Sequence, residues 1–135
     1  MKTQSKSHLV LIPSYNPGLR IRSTVLDALK YWNPVWVVVD GSNDGSNELL
    51  KSLATDESGL RVISLPVNSG KGAAVLEGLR VAQQEGFTHI LTMDSDGQHP
   101  AHMIPSFMKE SSDCPEAMVL GVPDFGEEAP SLRVK

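Results

Sequence analysis

The sequence predicts an α/β protein, a three-layer sandwich built around a mostly parallel central sheet. Three observations carry that expectation. Short β-rich runs alternate with amphipathic segments, the pattern of successive βα units. One run, Val35 to Val39, is continuously apolar and β-branched or aromatic, as in a strand covered on both faces. Each polar cluster falls just past the end of a run, where open α/β sheets bind ligands.

The elements follow in order. Leu9 to Ile12 form a first strand, stopped by Pro13. From Gly18 a helix is expected, because Ile21, Val25, Ala28, Leu29 and Trp32 recur at spacings of three and four. After the strand Val35 to Val39, the run Asp40-Gly41-Ser42-Asn43-Asp44-Gly45-Ser46 consists of turn formers. A short helix over Asn47 to Ala54 leads to a strand over Leu60 to Leu65. Gly70-Lys71-Gly72 opens the next helix, whose Val75, Leu79 and Ala82 share a face and which Gly86 caps. A strand from His89 to Met93 delivers the chain to Asp94. A helical stretch follows Pro100, and Ala117 to Leu120 make a fifth, short strand.

Bulk properties narrow the function classes. A chain of 135 residues, 40% hydrophobic and 21% charged, is an ordinary globular domain. Its formal net charge of -4 provides no general basic field, which argues against a nucleic-acid partner. Phosphate, if bound, must be met locally by a metal, a lysine or a helix N-terminus. Cys114 is the single cysteine and reads as a structural thiol, in keeping with a reducing cytoplasm. No apolar run is long enough to span a membrane, and residues 1–13 lack a signal-peptide core.

The most informative stretch is Asp94-Ser95-Asp96-Gly97-Gln98-His99-Pro100. Two carboxylates one residue apart, at a strand end, can aim hard oxygens at one Mg²⁺ or Mn²⁺ ion, with the Gln98 amide oxygen as a further ligand. Taken alone, the same residues also suit a solvated Asp-rich turn, with Gly41 and Gly97 serving tight turns for structural reasons.

Four segments together resemble the family 2 glycosyltransferases of the GT-A type, a Rossmann-like nucleotide-binding fold. They are Ile12-Pro13-Ser14-Tyr15-Asn16, the run Val38 to Ser46, Asn68 to Ala74, and Met93 to Pro100. The Gln98-His99-Pro100 ending looks most like the dolichyl- or polyprenyl-phosphate sugar transferases. The resemblance implies that Pro13 and Tyr15 line a nucleobase pocket and that Asp40 accepts a hydrogen bond from base or ribose. It places Lys71 near base or phosphates, Asp94 at ribose and metal, and Asp96 with Gln98 on the metal that holds the diphosphate. Asp44 is expected to organise its own loop by bonding nearby backbone N–H groups.

The implied activity is metal-dependent transfer, with inversion, from a UDP- or GDP-linked sugar to an acceptor such as a polyprenyl phosphate. Mn²⁺ or Mg²⁺ is the implied cofactor. A cytoplasmic location follows, at the inner face of a membrane in a longer parent chain. Pro17 and Val39 stand where many relatives carry acidic residues, which leaves the identity of the base open. Residues 1–135 read as one domain, the nucleotide-sugar-binding part. The acceptor-side half, with any catalytic base, is expected beyond about residue 121, so the chain reads as truncated.

Other readings fit less well. Gly70-Lys71 is followed by Gly72 rather than Ser or Thr, and Leu65 stands where an NTPase phosphate loop needs its first glycine. A dinucleotide fingerprint at Gly70 to Val75 comes after the wrong strand. His99 and His102 could join Asp96 in a zinc site, although Pro100 lies between them. A nucleotidyltransferase would show a glycine- and arginine-rich early loop, which Pro13 to Gly18 is not. A non-catalytic nucleotide-diphosphate-binding module remains the principal alternative to an enzyme.

Overall fold

A computed structural model describes residues 4–95 and 100–116, together with the backbone of 119–122 and 131–134. The elements run β1 (His8–Ser14), α1 (Arg20–Tyr31), β2 (Val35–Asp40), α2 (Ser46–Asp56), β3 (Leu60–Leu65), α3 (Lys71–Gln84) and β4 (His89–Thr92). A 3-10 turn (Ala101–Met103), α4 (Ile104–Asp113), β5 (Val119–Val122) and β6 (Ser131–Val134) complete them. The central sheet has the order β3-β2-β1-β4 and is parallel throughout.

Every residue of β1 and β2 is buried, as expected for inner parallel strands with both faces covered. Alternate side chains feed two cores. Val10, Ile12, Val37 and Val39 pack with Ile21, Val25 and Ala28 of α1, Leu50 of α2, and Ile104 and Met108 of α4. Leu9, Leu11, Trp36 and Val38 pack with Ala74 and Ala82 of α3 on the other face. This is the three-layer α/β sandwich that the alternating pattern predicts.

Three local expectations need correction. Pro13 does not end β1 but lies within it, paired in register with Val38. Val10 N–H donates toward β2, to Pro34 O, whereas Leu11 O accepts from Met93 on the β4 side. By this alternation the Pro13 nitrogen also faces β4, whose register ends at Leu11↔Thr92. Its missing N–H therefore leaves the β1–β2 ladder intact and falls on the β4 side, where the ladder stops after Met93 N–H bonds to Leu11 O.

The buried face of α3 is Ala74, Gly78 and Ala82, while Leu79 is exposed. A Cβ on Gly78 would stand 2.7 Å from both Leu11 methyl carbons, so the helix sits too close to the sheet for large side chains there. Beyond its C-terminus, the Gly86 and Phe87 N–H groups bond to Gln83 O and Ala82 O, the capping expected of Gly86.

The fifth strand begins at Val119 and pairs antiparallel with β6, Val119 opposite Val134, in a sheet of its own. Ala117 and Met118 lie outside the described residues. Both tryptophans pack against the cores: Trp32 donates its indole N–H to His8 O at 3.1 Å, and Trp36 meets Phe87 edge-on. Among the described residues no helix is long and apolar enough to cross a membrane.

Candidate functional site

The chain leaves β3, passes through α3 on the opposite face, and returns as β4 on the far side of β1. Strand order thus reverses at β1, and the loops at the C-terminal ends of its neighbours part there to form a crevice. A cleft of about 390 Å³ opens at this point. Pro13, Tyr15, Asp40, Lys71 and Asp94 all line it, joined by Ser14, Asn68, Gly70, Ala74 and Ser95. The five residues selected from sequence as nucleotide-binding are therefore neighbours in space. Asp96 and Gln98, the remaining expected metal ligands, and His99 lie outside the described residues.

Asp40 ends β2 and is 2% exposed. Its Oδ1 accepts from Ser69 N–H at 2.7 Å and its Oδ2 from Gly70 N–H at 2.8 Å, while the Asn68 amide donates to both Oδ2 and the Asp40 carbonyl. The carboxylate thus clamps the loop that leads into α3. Gly41 makes this approach possible. A Cβ there would fall 2.4 Å from Asn68 N, and its φ of +69° favours glycine in any case.

A second set of bonds joins the loops after β1 and β2. Asn16 takes a left-handed conformation, donates its N–H to Ser42 Oγ at 2.8 Å, and accepts Asn43 N–H on Oδ1 at 2.8 Å. Asp44 accepts Ser46 N–H and Gly18 N–H, the loop-organising role expected of it. The adjacent Ser46 side chain, then the Ser46 and Gly18 amides, hold the Asp44 carboxyl below its ordinary range.

Lys71, the first residue of α3, reaches across the cleft mouth to Asp94, with Nζ 2.5 Å from Oδ1. The pair is open to solvent, so it contributes little to stability. The N-cap of α3 is Gly70, which has no side chain to cap it, and the leading N–H groups of a helix have no acceptor within it. Lysine charge and helix N-terminus therefore converge on one rim, an arrangement suited to an anion. On the opposite rim, Asp94 supplies a hard carboxylate oxygen that fits a Mg²⁺ or Mn²⁺ ion. Among the described residues no three His, Cys, Asp or Glu side chains gather into a metal-binding cluster. His102 sits exposed in the 3-10 turn, and His8 and His89 stack on each other at the N-terminal ends of their strands, 4.5 Å between ring centres.

A hollow of about 460 Å³ at the other end of the sheet is slightly larger, bordered by Trp36, Arg61, Glu85 and Phe87. Its Arg61 and Glu85 already pair with each other, and Arg61 lies over the Trp36 ring. None of the residues singled out from sequence lies there, which favours the smaller cleft as the functional one. The sequence marked Asn68 only as the head of a motif, with no role of its own, and passed over Thr24, whose hydroxyl reaches the backbone of Ser95. The available signal for Thr24 was a polar residue interrupting the apolar stripe of α1.

Fold and cleft define an α/β protein whose parallel central sheet opens a crevice at its strand-order reversal, the place where such sheets bind ligands. Residues 9–134 match the family described as glycosyl transferase family 2, and the chain belongs to that family. It is 34% identical to the undecaprenyl-phosphate 4-deoxy-4-formamido-L-arabinose transferase of Aeromonas hydrophila, over 79% of this chain and 34% of that protein. It is 30% identical to the dolichyl-phosphate beta-glucosyltransferase of Dictyostelium discoideum, over 65% of this chain and 30% of the other. With the undecaprenyl-phosphate mannosyltransferase of Micrococcus luteus it shares 28% identity, over 75% of this chain and 42% of that one. The chain spans about a third of the length of the first of these curated relatives.

Proposed function

We propose that this chain forms the donor-binding part of an enzyme that transfers a sugar from a UDP- or GDP-linked donor to a polyprenyl phosphate, with metal dependence and inversion. One observation carries the reading: Pro13, Tyr15, Asp40, Lys71 and Asp94, chosen from four separated motifs, line a single cleft. The names of the relatives support the acceptor class, since those cited act on undecaprenyl or dolichyl phosphates.

In this reading Pro13 and Tyr15 flank the base, and Asp40 presents its remaining lone pairs to base or ribose while shaping the loop beneath. Lys71 and the start of α3 meet the diphosphate, and Asp94 contacts the ribose. Asp94, Asp96 and Gln98 would hold Mn²⁺ or Mg²⁺, which when bound supplies Lewis-acid stabilisation to the leaving diphosphate. The acceptor oxygen bonds to the anomeric carbon as the bond to the diphosphate oxygen breaks on the opposite face, which inverts the centre. A phosphate acceptor is already ionised and needs little help from a base.

Thermal unfolding with UDP and GDP, with and without Mn²⁺, tests the reading. Metal and the right nucleotide together should stabilise the chain by about 2.7 kcal/mol at a hundred times the dissociation constant. Asp96→Asn should remove the metal-dependent part. A nucleotide shift indifferent to chelator would count against metal dependence, and no shift with either nucleotide would overturn donor binding. Supplying a nucleotide sugar and a polyprenyl phosphate then separates transferase from simple binder.

A further inference from the structure

Thr24 lies among the buried residues of α1, with Ile21, Val25 and Ala28, and is 5% exposed. Its hydroxyl donates to Arg20 O at 3.0 Å, the back-bond to the preceding turn that a helical threonine commonly makes. The same hydroxyl also reaches Ser95 O at 3.3 Å, across 71 positions of sequence. A hydroxyl has one proton, so the two carbonyls share it. The local bond would satisfy Thr24 without Ser95. The longer one ties the loop after β4 to a different element.

The position of that tie matters. Ser95 directly follows Asp94, and Met93 directly precedes it. Met93 N–H donates to Leu11 O at 3.0 Å, which extends the β1 ladder to the residue before Asp94. Asp94 is thus held on one flank by the sheet and on the other by α1. With both neighbours fixed, its carboxylate is directed at the cleft rim where it meets Lys71.

We infer that Thr24 is a positioning residue for Asp94, holding the Ser95 carbonyl so that the adjacent carboxylate is set for its ligand. The inference rests on the reading of Asp94 as a nucleotide and metal contact. Packing alone does not require the hydroxyl, because valine has nearly the same shape and would fill the same space in the α1 stripe.

Two substitutions separate positioning from packing. Thr24→Val keeps the volume and removes the donor; Thr24→Ser keeps the donor and removes a buried methyl. For each, the ligand-free melting temperature and the Mn²⁺ concentration giving half of the UDP- or GDP-dependent thermal shift are measured. Thr24→Val should melt near the wild type yet need about fivefold more Mn²⁺, the effect of one lost hydrogen bond. Thr24→Ser should melt lower yet keep the wild-type Mn²⁺ requirement. Wild-type Mn²⁺ dependence in Thr24→Val, or a Mn²⁺ requirement that simply follows melting temperature in both variants, would overturn the positioning role alone. If the wild type itself shows no Mn²⁺-dependent shift, the reading of Asp94 fails first and the role of Thr24 falls with it.

Discussion

Replacing Asp40 by alanine should destabilise the fold far more than its position beside a ligand cleft suggests. The carboxylate accepts two backbone N–H groups, from Ser69 and Gly70, in a site where the residue is 2% exposed. Hydrogen bonds to a charged group contribute about 1.5–3 kcal/mol each, while the donors Ser69 and Gly70 are exposed residues whose amides water can reach. Water entering the vacated space recovers part of this, which leaves a net loss of about 3 kcal/mol. The unfolding entropy of a chain of 135 residues makes that a fall of about 10 °C in melting temperature.

Asp44 provides the control, because it too accepts two amides, from Gly18 and Ser46, but is exposed. Asp44→Ala should cost only about 1 kcal/mol, in the range of a lost helix cap. Urea titrations of the two variants at pH 7, read by far-UV circular dichroism, give the comparison at constant slope. Equal losses would refute the argument, since each carboxylate accepts two backbone amides and the two differ chiefly in burial, with the Asn68 side-chain amide a third, longer contact of Asp40.

Three further outcomes follow from the geometry. Gly41→Ala should lose about 2–3 kcal/mol in the same titration, from a left-handed backbone and a Cβ driven against the Asn68 backbone; retention of wild-type stability would show that the two loops separate freely. His8 has its pKa lowered by burial and, secondarily, by the nearby His89, so the unfolded chain binds the proton more readily. Its contribution is complete above the unfolded value of 6.5 and declines as pH falls below it toward the folded value, and His8→Gln should flatten that part of a stability-versus-pH curve. Lys71→Met should weaken nucleoside diphosphate binding about tenfold in calorimetry at low salt, and unchanged affinity would remove Lys71 from the anion site.

How much of this was legible in the sequence depended on how local the cause was. Val35 to Val39 announces a buried strand because its chemistry admits little else, and the observed β2 differs only by including Asp40. The turn formers between Asp40 and Ser46 likewise mark a loop by composition. Pro13 misled because a proline is acceptable in a strand when its nitrogen faces away from the strand that pairs with it, here β2, and toward the side where the ladder to β4 stops. Leu79 misled for a similar reason, since the distance between α3 and the sheet selected Gly78 for the buried face.

The candidate site shows the same division. Motifs placed Pro13, Tyr15, Asp40, Lys71 and Asp94 at strand ends, and the β3-β2-β1-β4 order brings them together. The engagement of Asp40 with Ser69 and Gly70, and the reach of Thr24 to Ser95, involve partners 28 or more positions away. No local pattern encodes such pairs, because they depend on how two loops meet after the sheet has formed.

The bonds among the loops after β1, β2 and β3 also bear on how tightly a ligand can be held. Asn16, Ser42, Asn43, Asp44 and Asp40 cross-link neighbouring loops through side chain to backbone contacts before any nucleotide arrives. A floppy rim would have to be ordered by the ligand, at the expense of affinity. Here much of that ordering is completed during folding, so a ligand of the proposed kind would meet a rim that is already cross-linked. Substitutions at Asn16 or Asn43, neither of which lines the cleft, should therefore slow or weaken capture through restored loop entropy rather than through any lost contact.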